Sequence, residues 1–180
     1  GHYFVARRRG VDASLPYFIP VPFGLGTFGA IIRIRSAFPD RRAAFDVGIA
    51  GPLAGLAVAL PALIFGLQTS ELVPASAGIG TQVTSSLLLG WIASWLATGD
   101  LTAADAIVFS PLAFAGWLGL LVTALNLLPI GQLDGGHIAY GLLGRRRTQQ
   151  VGGVALLLLV LLGIFYWSGW LVWAFIVFFL

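Results

Sequence analysis

No cysteine occurs in this 180-residue chain, which excludes disulfides, thiolate metal ligands and a cysteine nucleophile. Lysine and methionine are missing as well, and glutamate occurs once, at Glu71. Every positive side chain is therefore an arginine, and the net charge of +3 comes from clusters at 7–9, 33–35, 41–42 and 145–147. Charged residues make up only 9% of the chain and hydrophobic ones 58%, with a mean hydropathy of +0.95. A water-soluble domain of this size needs far more polar surface, so the composition specifies an integral membrane protein. No interleaving of aromatic and basic residues suggests base stacking, so nucleic acid is not an expected partner. Absence of methionine at Gly1, and an apolar run that is still in progress at Leu180, lead us to expect a portion of a longer protein.

The apolar runs organise the chain. Residues 2–10 fit the end of a helix, with Arg7–Arg9 in its last turn and Gly10 closing it. Pro16, Pro20 and Pro22 rule out a helix in "LPYFIPVPFGLGTFGAIIRIRSAFPDRR", whereas "TFGAIIRIRS" alternates and is β-branched. This predicts a small β element over 16–36, jointed at Gly24, Gly26 and Gly29, lying against or dipping into the membrane. A first spanning helix is expected over 43–67 and a second over 106–128. Between them "SSLLLGWIASWLA" suggests an interfacial helix with Trp91 and Trp95 at headgroup level. The final run, 151–180, is either one long helix or two shorter ones. The expected class is a mainly α, multi-pass membrane protein with three to four transmembrane helices, organised as one membrane-embedded core over 1–180.

Arginines flank the first span on its N-terminal side and the second on its C-terminal side, and residues 68–105 have none. The positive-inside rule then puts both arginine-rich flanks in the cytoplasm, with the bacterial inner membrane as the expected setting. Asp134 falls at the cytoplasmic end of the second span. An acid there is costly unless something shares its charge, although Asp-Gly is also a common turn pair. His2, read alone, is an ordinary terminal histidine, and His137 is most simply hydrogen-bonded, with support of a neighbouring ligand as the other reading.

Asn126, Pro129, Asp134 and Gly135 form the pattern N-x-x-P-x-x-x-x-D-G inside "LVTALNLLPIGQLDGGH", and "GHY" at the start matches the end of H-E-x-G-H-Y. With "GIAGPLAGLAVAL" and the glycine-rich β segment, this resembles the site-2 protease family of intramembrane zinc metalloproteases. In an H-E-x-x-H helix two histidines four residues apart face one Zn²⁺, and the glutamate acts as general base on water. The resemblance implies that His2 is the second histidine ligand and Asp134 the third protein ligand. The first histidine and the glutamate are expected upstream of Gly1, so the chain as given is expected to be inactive alone.

The resemblance also suggests that Asn126 hydrogen-bonds the substrate carbonyl or its oxyanion, the alternative being a simple helix-end polar group. Strand addition by residues 26–36 would hold an unwound substrate segment, with Gly26, Gly29 and Ile32 in contact with it. The implied partners are a transmembrane protein substrate and the lipid bilayer, and the oligomeric state stays open. Gly48, Gly51, Pro52 and Gly55 read as close helix packing, and Asp46 as a favourable charge at a helix N-terminus. The competing readings are an ion-coupled transporter or channel subunit and a non-catalytic scaffold. The near absence of polar residues along 106–128 disfavours the transporter.

Overall fold

The computed structural model describes residues 1–20, 27–74, 81–82 and 105–179. It is mainly helical, with two small antiparallel sheets. In chain order the elements are α1 (His2–Arg8), β1 (Tyr17–Pro20), β2 (Thr27–Ile31), α2 (Arg41–Gln68), β3 (Glu71–Pro74), β4 (Thr81–Gln82) and β5 (Asp105–Val108). They are followed by α3 (Pro111–Asn126), α4 (Asp134–Leu143), α5 (Arg145–Phe165) and α6 (Gly169–Phe179). Two compact units result, one of residues 1–54 with 124–180 and one of residues 55–123.

Two helices, α2 and α5, are long and apolar enough to cross a membrane, with mean hydropathies of 2.1 and 2.0. The expectation of three to four spans is met only that far among the described residues. The 106–128 span is not one helix. Residues 105–108 instead form β5, whose register pairs Asp105 with Pro74 and Val108 with Glu71. Pro111 then occupies the first helical position, where its missing N–H is harmless, and the Ser110 hydroxyl accepts from the Ala113 amide at 3.2 Å. What remains, α3, is 16 residues long, about 24 Å, short of the roughly 20 residues a span requires. The final run resolves into two helices: Tyr166 leaves helical geometry, and α6 packs back so closely that a Cβ on Gly163 would meet Leu171.

In the unit of residues 55–123, Ala59, Leu63, Ala113 and Leu120 form the core, with Trp117 and Phe109 at its margin. Gly116 lets α3 approach the Leu63 backbone more closely than any side chain would permit. The expected interfacial helix around Trp91 and Trp95 lies outside the described residues.

The other unit carries the framework of His2 and Asp134. Helix α1 ends in a Schellman motif: the Val11 amide donates to the Ala6 carbonyl at 2.9 Å and the Gly10 amide to Arg7 at 3.2 Å. Gly10 has φ +72°, the left-handed geometry that such an ending needs. The reversal drops Val11 and Ala13 into a core with Ala6 and Val47, against which Ile32 and Phe38 also pack. Beyond it, the Ser14 amide donates to the Arg33 carbonyl and the Arg35 amide to the Asp12 carbonyl, so the β1–β2 pairing continues as a bridge between Ala13 and Ile34. Asp40 caps α2 by accepting from the Ala43 amide at 2.7 Å. The loop before α4 is pinned by Ile130 and Leu133, which pack with Leu159, Ala174 and Val177 of α5 and α6.

Candidate metal centre

Three helices build the site. His2 opens α1, Asp134 opens α4, and Val47, Gly48 and Gly51 lie on one face of α2. The His2 Nδ1 donates to the Val47 carbonyl at 2.8 Å. A carbonyl can only accept, so this bond puts the proton on Nδ1 and turns Nε2 outward with its lone pair. Nε2 lies 3.3 Å from Asp134 Oδ2. Two atoms bound to one tetrahedral zinc, at bond lengths of about 2.0–2.1 Å, are separated by about 3.3–3.4 Å. The donor types, the tautomer and the spacing therefore fit a shared divalent cation. The same pair fits a shared proton: the Asp134 hydrogen bond raises the His2 pKa, against burial, which lowers it. Among the described residues, no group of three histidine, cysteine, aspartate or glutamate side chains is assembled; His2 and Asp134 are the pair brought together.

The absence of side chains on α2 is what lets the donors meet. A Cβ on Gly51 would overlap the His2 imidazole, and one on Gly48 would press on His137 Cβ at 3.0 Å and the Asp134 carbonyl at 3.1 Å. Sequence reading took both glycines for generic helix packing. Their three-residue spacing could not reveal that one of them faces an imidazole and the other the start of α4. The Val47 carbonyl was equally invisible, because a backbone group leaves no signature in the letters.

At its far end α4 is held by Arg41, whose Nη2 donates to the Gly141 and Leu142 carbonyls at 3.1 and 3.0 Å. A cation on those orphan carbonyls opposes the helix dipole, as Asp134 does in the first turn. Asp46 plays a different part from the one expected. Helix α2 starts at Arg41 with no acid in its first turn, and Asp46, one turn further on, forms an ion pair with Arg9. That pair ties the end of α1 to α2.

A cavity of about 340 Å³ opens over the pair, lined by His2 and Asp134 together with Asn126, His137, Gly48 and the extended segment through Ala30, Ile32 and Ile34. The structure thus brings Asn126 and Ile32 to the same cavity as the two donors. Along the β element the described lining residues are Ala30, Ile32 and Ile34. Gly26 lies outside the described residues. Burial lowers the His137 pKa, opposed by the nearby Asp134 charge. Its ring makes no hydrogen bond with any described residue and rests edge-on against Phe38, 5.4 Å between centroids.

The strand has one occupied edge. Arg33 and Arg35 direct their backbone groups at Ser14 and Asp12, and the Arg33 amide also donates to the Ser14 hydroxyl at 2.9 Å. Alternation therefore turns the amide and carbonyl of Ile34, and of Ile32 in the same phase, to the opposite edge. No backbone group among the described residues bonds either residue there.

Comparison with known proteins places these features in context. The family model described as "Peptidase family M50" matches residues 1–166. The chain is 41% identical over 150 residues to the probable zinc metalloprotease EGY1, chloroplastic, of Oryza sativa subsp. japonica, covering 81% of this chain and 26% of that protein. It is 37% identical over 170 residues to the probable zinc metalloprotease EGY2, chloroplastic, of Arabidopsis thaliana, covering 92% of this chain and 30% of that protein. The chain thus spans under a third of the length of these relatives. No solved structure matches it.

Proposed function

The chain belongs to peptidase family M50, the site-2 proteases, and from that premise we propose that it supplies the metal-binding and substrate-holding core of a zinc-dependent intramembrane endopeptidase. The observation that carries the proposal is the 3.3 Å approach of His2 Nε2 to Asp134 Oδ2, with the imidazole's other nitrogen fixed by Val47. His2 and Asp134 would hold the ion. When bound, zinc supplies Lewis acidity, polarising a carbonyl and making water more acidic. The chain's own residues do the rest: Val47 orients the ligand, Asn126 offers a hydrogen bond to the substrate carbonyl, and the segment at 30–34 holds the backbone to be cut. With two helices in the chain long and apolar enough to cross a membrane, the substrate class we infer is a transmembrane or membrane-proximal segment of another protein. The arginine clusters support an orientation with the active site at the cytoplasmic end of the spans, and the membrane we propose is the bacterial inner membrane.

The test is cleavage of a transmembrane reporter by the full-length protein reconstituted in vesicles. Chelation is expected to abolish cleavage and added Zn²⁺ to restore it. Cleavage that persists after the metal has been stripped would overturn the reading.

Substrate holding by strand addition is supported by the free edge at Ile32 and Ile34 beside the donor pair. This edge, at 32–34, lies inside the 26–36 segment expected to hold the substrate. Ile32→Pro would also disturb the core with Ala6 and Val11, so Ile34→Pro is the cleaner probe. Loss of one amide donor is expected to lower cleavage about fivefold, since a backbone hydrogen bond contributes on the order of 1 kcal/mol. Ile34→Val should cleave normally. Equal rates for the proline and valine proteins, with unchanged helicity by circular dichroism, would remove the strand from the mechanism.

A further inference from the structure

We propose that His137 is a catalytic residue that donates a hydrogen bond to the oxygen of the scissile carbonyl as the peptide bond is attacked. The inference rests on the protease reading above and adds a residue to it. Four observations carry it. His137 follows Asp134 by three positions on α4, so both side chains lie on one face of that helix. Both line the cavity that also receives His2, Asn126 and the edge segment at 30–34. The ring makes no hydrogen bond to Asp134 or to any other described residue, so it does not orient the ligand in the way that an outer-shell partner does. It also completes no group of three potential metal donors among the described residues, so it shares the cavity without sharing the ion.

What remains is a half-buried imidazole with an unspent N–H facing the space where substrate must lie. Among the described residues, packing alone fixes its position. Phe38 meets the ring edge-on at an interplanar angle of 65°, and the missing side chain of Gly48 accommodates its Cβ. An imidazole has an N–H in either neutral tautomer. A donor held in advance beside an attacked carbonyl stabilises the charge that grows on the oxygen, and removing such a donor typically slows catalysis by about 10²–10³-fold. Asn126, at the end of α3 on the same cavity, is the natural second donor.

The experiment compares the full-length wild type with His137→Leu and His137→Gln in vesicles, using a transmembrane peptide reporter. Leucine keeps the bulk against Phe38 without a donor, and glutamine keeps an N–H. For His137→Leu we expect wild-type zinc content, a kcat about 10²-fold lower and a KM changed by less than about threefold, because the bond strengthens only as charge develops. His137→Gln is expected to recover at least a tenth of the wild-type kcat. As a readout independent of turnover, a peptide phosphinate, whose tetrahedral oxygen resembles the attacked carbonyl, should bind more weakly to His137→Leu by the factor lost in kcat/KM. A peptide with an uncleavable planar amide should bind both proteins alike.

Loss of zinc from either variant, wild-type kcat in His137→Leu, or equal weakening of both inhibitors would overturn the proposal. Should His137→Leu fail to fold, the decision passes to His137→Gln: weakening of the phosphinate alone supports the role, and weakening of both ligands refutes it. A wild type without zinc or cleavage would sink the protease reading itself, whereas a wild type matched by His137→Leu would sink only the role of His137.

Discussion

Full-length protein carrying His2→Ala or Asp134→Ala is expected to lose its bound zinc, and with it all measurable cleavage. The geometry makes the two losses equivalent. Each side chain supplies one of two donors 3.3 Å apart, and the neighbouring His137 completes no group of three potential donors with them among the described residues. Outer-shell changes already cost roughly 10–100-fold in metal affinity, so removing a donor itself should cost more. Elemental analysis should fall from about one zinc per chain to background in both variants. Asp134→Asn is the sharper control. It keeps the shape of the side chain at the start of α4 and removes only its charge, so it should lower zinc affinity with α4 intact. Full zinc occupancy in His2→Ala and Asp134→Ala would mean that the ion is held elsewhere.

The second large effect is expected from Gly51→Val, a substitution that touches no polar group. Any Cβ at this position would occupy the place of the His2 ring, so either the ring swings away from Val47 and Asp134 or α1 separates from α2. Both outcomes destroy the donor pair. Overpacking of this kind costs typically 1–3 kcal/mol, and more where the obstructing atoms belong to a fixed ring. Zinc affinity should drop at least as far as in Asp134→Asn, and Gly51→Ala, which adds the same Cβ, should lower it comparably. Gly55→Ala is the contrasting case one turn on. Its Cβ would meet only the Thr123 hydroxyl at 3.0 Å, in the other unit, and zinc binding should be unchanged. Titration with Zn²⁺ and a competing chelator measures all three. If Gly51→Val binds zinc like the wild type, the imidazole does not lie where α2 leaves room for it.

Much of this was legible in the letters, and the part that was not has a common cause. Hydropathy found α2 to within two residues, because 25 residues with Asp46 as their single charge admit one interpretation. The prolines at 16, 20 and 22 and the β-branched run 31–34 marked the β element, and the N-x-x-P…D-G pattern singled out Asn126 and Asp134. Hydropathy failed at 106–128 because it does not distinguish a buried strand from a helix in residues such as Ala106, Ile107 and Val108. There, the pairing with β3 and the start signal of Ser110–Pro111 decided the outcome. It left 151–180 undecided because the break at Tyr166–Ser168 is stabilised by packing of Leu171 on Gly163. At the site, the roles of Val47, Gly51 and His137 depend on helices distant in sequence, and no local spacing encodes them. Asp46 was misassigned for the same reason: its partner, Arg9, arrives from another helix.

The tight reversal at Gly10 has a mechanical consequence. Only four residues separate the last turn of α1 from the Ala13–Ile34 bridge, so the helix that begins with His2 and the strand that borders the cavity are two arms of one rigid bracket. Any tilt that carried one arm would carry the other. In the proposed mode of action the bracket works as a gauge: the number of amino acids between a substrate's docked stretch and its broken bond would be set by the protein, whatever the substrate's own sequence.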